Sequence, residues 1–173
     1  VGALFAIPIW IKLANRKNNN RQIYIISALF LAFASIPLTL FADYFILLIF
    51  IIIWGAGLGG FWAINRVILS EAVDEAVVNT GKREEGIYTG IMMFFNRLAI
   101  IVQVLIFVFV HSFTGFVEGA ATQSELAQIG IRLHIGLIPM IVLLLGTLYF
   151  VRTYDLTPGK VEEIQNKLNI LKL

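Results

Sequence analysis

Long apolar runs separated by short polar ones set the pattern of this chain. Positions 22–42 and 44–65 hold no charged residue, 87–112 hold only Arg97, and 133–151 hold none. A helix needs about 20 mostly apolar residues to cross a bilayer core. The runs therefore predict transmembrane helices over 22–42, 44–66, 87–112 and 131–152. None alternates with the period of two that a membrane strand shows. Helices also satisfy their backbone hydrogen bonds within one segment, as lipid requires. Residues 1–13 are apolar but too short for a full crossing. They predict a truncated transmembrane helix, and the chain is expected to be a fragment whose earlier part is missing.

The polar intervals predict loops at 14–21, 67–86 and 113–130. The tail, 157–173, has another pattern. Thr157-Pro158 reads as an N-cap followed by a first-turn proline. Val161, Ile164, Leu168 and Leu171 then fall on one helical face. That predicts a short amphipathic helix lying on the inner membrane surface or on the protein itself.

Composition agrees with a chain solvated by lipid. Hydrophobic residues make up 59% and charged residues 14%, with mean hydropathy +0.87. A soluble domain carries roughly 25% charged residues. This excludes the charge-covered surface of a cytosolic enzyme and gives no reason to expect a nucleic-acid partner. The net charge is +2, and there are no cysteines.

Where the charges lie is more informative. Lys12, Arg16, Lys17 and Arg21 flank the first loop; Arg66, Lys82 and Arg83 the third; Arg152, Lys160, Lys167 and Lys172 the tail. Only Arg97 and Arg132 lie elsewhere. The positive-inside rule places 14–21, 67–86 and the tail in the cytoplasm and 113–130 outside. The expected protein is a multi-pass component of the cell membrane with a cytoplasmic C-terminus.

Arg97 is the residue most out of place. It falls near the middle of its span, where a charge costs about 2.5–3.5 kcal/mol on insertion scales. Arginine does not deprotonate, so it needs a partner. No predicted span holds Asp or Glu. The partner is expected to be a carboxylate in the missing part, a bound anion or a water-filled cavity. Thr89, Asn96 and Gln103 recur at every seventh position, and Arg97 lies about 100° around from Asn96. Together they predict one polar side facing a substrate or cation cavity. Asn96 and Gln103 are equally compatible with amides that simply bond helices together.

Gly55, Gly59 and Gly60 predict close helix packing of the GxxxG kind, or a helix that bends or slides. Pro37 and Pro139 each remove a backbone donor within a span. Glu71, Asp74, Arg83 and Glu85 sit among mixed charges and predict either a solvated surface or a cytoplasmic ionic latch. His111 and His134, without a carboxylate cluster, predict no metal site. No HExxH or intramembrane His/Asp arrangement supports a hydrolase, and no enzyme is expected.

Several stretches resemble one family. Glu71-Ala72-Val73-Asp74, then Thr80-Gly81-Lys82-Arg83-Glu84-Glu85-Gly86, then Phe95-Asn96-Arg97, are similar to the central motif of the glycoside-pentoside-hexuronide:cation symporters. This is the melibiose permease-like branch of the major facilitator superfamily. Weaker similarities run through 8–21, Gly130-Ile131-Arg132, Leu137-Ile138-Pro139 and Tyr154-Asp155-Leu156-Thr157. The resemblance implies an all-α integral membrane fold, of which this chain is the end of helix eight plus helices nine to twelve. It implies a symporter that carries a sugar, glycoside or related small solute by alternating access, with Na+ or H+ as coupling cation and no other cofactor. A lysolipid or organic anion in the same fold, or a non-transporting scaffold, is the alternative. The implied partners are the bilayer, the substrate and the missing N-terminal half. Arg97 stands where the family usually has a membrane-embedded lysine near the cation and substrate. Glu71, Asp74, Arg83 and Glu85 match its inner-gate charges.

Overall fold

The computed structural model describes residues 1–171; Lys172 and Leu173, assigned above to the tail helix, lie outside the described residues. The chain runs α1 (Gly2–Lys17), α2 (Asn20–Ala34), α3 (Ile36–Leu40), α4 (Tyr44–Thr80), α5 (Glu85–Thr114) and α6 (Glu125–Arg132). A π-helical turn (Leu133–Leu137), α7 (Ile138–Thr153) and α8 (Pro158–Leu171) follow. No strand occurs among the described residues. The all-helical membrane architecture expected from the sequence is the one observed. Segments Asn20–Leu40, Tyr44–Thr80, Glu85–Thr114 and Glu125–Thr153 are long and apolar enough to cross a membrane.

Several boundaries differ from the sequence reading. α1 continues to Lys17 and only Asn18 and Asn19 separate it from α2. Asn18 takes the left-handed conformation at φ 46° and closes α1 through its N–H to the Ala14 carbonyl at 2.9 Å. Asparagine tolerates this geometry better than other side chains. Asn19 then caps α2, its side-chain oxygen accepting from the Gln22 N–H at 2.9 Å.

The largest correction concerns 67–86. Much of this predicted loop is the last third of α4, which runs unbroken to Thr80. Charge suggests a loop, but 67–80 contain neither Gly nor Pro and carry good helix formers. The helix ends where Gly81 adopts φ 69° and returns its N–H to the Val77 carbonyl. With 37 residues, α4 is about 55 Å long and overshoots a core of about 30 Å. Its charged third therefore stands beyond the apolar layer.

Span 22–42 is interrupted at Ser35, because Pro37 cannot supply the N–H that a continuous helix needs. The Ser35 hydroxyl donates to the Leu31 carbonyl and accepts from the Trp54 indole, both at 3.0 Å. Predicted loop 113–130 is shortened by α6, capped by Ser124. The π-helical turn precedes Pro139, whose ring excludes the regular bond to the carbonyl four residues earlier.

α4 is the centre of the bundle. α1 and α2 pack along it, and α7 packs on α2. Ala14, Ile23, Ile64 and Ile68 form one core, with Trp10, Tyr24 and Phe150 against it. Val77, Leu156, Ile164 and Leu168 form a second, which seats α8 on the charged end of α4. α5 stands apart: His111 is its only buried residue, and it meets its neighbours chiefly at α6 and the π turn.

Candidate functional site

The polar face of α5 borders two clefts. Toward the charged end, Asn96 and Trp62, Asn65 and Arg66 of α4 line a cleft of about 400 Å3, together with Met92 and Met93. Further along, Gln103 borders a cleft of about 560 Å3 with Trp54, His134 and Pro139. Asn96 and Gln103 thus look toward α4 and α7, as residues seven apart on one helix must share a face. Thr89 is exposed and borders neither cleft. Arg97 is exposed, borders neither cleft, and has no hydrogen bond or ion pair among the described residues. Arg66 is likewise exposed and unpaired. Of these two guanidinium groups only Arg66 lines a cleft, and neither meets an acid among the described residues.

The acids of α4 are engaged elsewhere. Glu71 is only 8% exposed. One carboxylate oxygen accepts from the Asn20 side-chain amide at 2.7 Å and the other from the Tyr154 hydroxyl at 2.6 Å. Arg21 donates to the carbonyls of Tyr154 at 2.8 Å and Val151 at 2.9 Å. It thereby caps α7, where a positive group also meets the negative helix end. Burial, and next the Glu71 contact, push the Tyr154 phenol well above its ordinary range, so it remains a donor. Asp74 accepts from Gln165 of α8 at 2.8 Å. This network ties α2, α4, α7 and α8 together.

The four charges read as a latch do not converge. Glu71 and Asp74 belong to that network, whereas Arg83, in the short link after α4, pairs at 2.9 Å with Glu85, the first residue of α5. Asn20, Arg21, Tyr154 and Gln165 escaped the sequence reading because their partners are distant along the chain. Trp62, Asn65 and Arg66 carried a signal: an aromatic, an amide and a cation within one turn, at the edge of an apolar span.

The glycines of α4 are contact surfaces. A Cβ on Gly59 would lie 2.7 Å from the Ala3 carbonyl oxygen and 3.0 Å from its Cα. Gly55 faces the Gly2–Ala3 backbone, and Gly60 lies beneath the Trp10 ring. The Trp10 indole donates to the Ala56 carbonyl at 3.0 Å. Backbone contact of this kind is what small residues permit between membrane helices.

Residues 1–158 match the sequence profile of a family described as MFS/sugar transport protein. No curated protein and no solved structure matches the chain. The chain belongs to that family, which supports a multi-pass secondary transporter with a small-molecule substrate.

Proposed function

We propose that this protein is a cation-coupled symporter of a sugar or related small solute, and that the cleft between α4 and α5 is part of the substrate path. The observation that carries this reading is the lining of that cleft: Trp62 beside Asn65, Asn96 and Arg66, enclosing about 400 Å3. Pockets for small ligands run from about 300 to 1,000 Å3. An indole offers a flat apolar platform for the C–H face of a sugar ring. Asparagine amides offer both donors and acceptors to hydroxyl groups. Arg97 keeps its charge through the cycle because it cannot release a proton, so the coupling cation, Na+ or H+, is bound by other groups.

The exposed length of α5 is the surface offered to the other half of the transporter. Rocking of the two halves opens the cleft alternately to each side. During that motion Glu71 and Asp74 move with the block they hold together. Arg83 and Glu85, at the start of α5, would work the gate in this reading. The clustering of Lys and Arg in 14–21, 67–86 and the tail supports a cytoplasmic C-terminus, for a protein that this reading assigns to the plasma membrane.

The unanswered Arg66 and Arg97 favour a second reading, an anionic solute such as an organic anion or a lysolipid. Uptake of labelled neutral glycosides, sugar acids and lysolipids into vesicles, with and without Na+ and pH gradients, separates the two. Neutral-glycoside uptake driven by a gradient, with KM about tenfold higher in Trp62→Ala, supports the first reading; tenfold corresponds to about 1.4 kcal/mol. Gradient-insensitive uptake, or uptake untouched by Trp62→Ala, refutes it.

A further inference from the structure

We infer that His111 and His134 form a two-imidazole site for a divalent transition-metal ion such as Zn2+, placed where α5 joins the rest of the bundle. They are the 2 histidines of the chain. Along the sequence they are far apart and make no site; the fold pairs them. His111 lies in the last turn of α5 and His134 on the π-helical turn. Their ring centroids are 5.5 Å apart with planes at 79°.

That separation suits a shared ion. Imidazole nitrogens about 2.0–2.1 Å from a tetrahedral zinc bring the ring centres to roughly 5–6 Å. Neither ring has a hydrogen-bond partner among the described residues. The Nδ1 atom of His111 is sealed from solvent and unpaired, on a residue only 8% exposed. Phe107 and Phe116 pack against the His111 ring, which accounts for its burial but leaves that nitrogen unanswered. A buried polar atom without a partner calls for an occupant such as an ion or a water. Neutral imidazole is the commonest metal ligand, and it suits Zn, Cu and Ni.

His134 borders the cleft of about 560 Å3, which gives an ion a way in. No group of three or more His, Cys, Asp or Glu is placed to hold a metal among the described residues. The protein therefore supplies two ligands and water the remainder, an exchangeable site rather than a closed structural one. An ion held there would staple α5 to the π turn.

Zn2+ binding to the full protein, purified without a polyhistidine tag, tests the site by calorimetry. The expected result is one Zn2+ per chain, with affinity falling tenfold or more in His111→Gln and in His134→Gln, and a melting temperature raised by Zn2+ in the wild type alone. X-ray absorption at the zinc edge of the wild type should count two imidazole ligands, whether or not the variants fold. No stoichiometric binding, which would leave water as the occupant, overturns the site. So does binding untouched by both variants, or a zinc spectrum without two imidazoles.

Discussion

The charged end of α4 and the middle of α5 hold similar polar side chains and treat them in opposite ways. Glu71 is buried between Asn20 and Tyr154, and Asp74 is held by Gln165. On α5, Thr89, Asn96, Arg97 and Gln103 are all exposed, and Arg97 has no partner among the described residues. A polar group satisfied by its own neighbours stabilises the bundle, because removing one partner strands the others in a poorly solvated place. A polar group left open contributes little to the fold and remains available to a ligand or to a second body. Polarity within a span therefore does not reveal its role; the number of partners already engaged does.

Four substitutions probe that contrast. The largest effect is expected for Arg97→Leu, which should abolish uptake while leaving membrane insertion and melting temperature unchanged; normal transport would remove the side chain from the mechanism. Glu71→Ala should do the reverse. It strands the Asn20 amide and the Tyr154 hydroxyl, for a loss of about 2–3 kcal/mol, measured by thermal unfolding in detergent. Gly59→Val pushes a side chain into the backbone of Ala3 and should cost about 1–3 kcal/mol, seen as an early unfolding step of α1. The smallest effect is expected for Tyr154→Phe, about 1.5 kcal/mol for one hydrogen bond to the Glu71 carboxylate. Its pH signature distinguishes it. Because the phenol pKa is raised in the folded state, its contribution is complete below about pH 10 and is lost as pH rises beyond. The wild type should therefore show a steeper alkaline loss of stability than the variant.

The sequence made the class of the fold legible because lipid imposes so strong a constraint on length and polarity. The apolar run over 44–65 could only be a helix in a membrane. It did not reveal where that helix ends. Between Arg66 and Thr80, charge signals the edge of the bilayer rather than the end of helical structure, and only Gly81 marks the latter. The site was legible in part. Asn96 was singled out by its heptad spacing with Thr89 and Gln103, but Trp62, Asn65 and Arg66 were not joined to it, because nothing in local spacing says which turn of α4 meets which turn of α5. The Arg21–Tyr154 contact links residues at opposite ends of the chain; no periodicity could have foreseen it.

The ends of α5 are both secured. At one, the short link after Gly81 ties it to α4; at the other, the His111 cluster ties it to the π turn. A beam tied only at its two ends deflects, and it deflects most near midspan. Asn96 and Arg97 sit near that point, on the part of the helix that yields most readily.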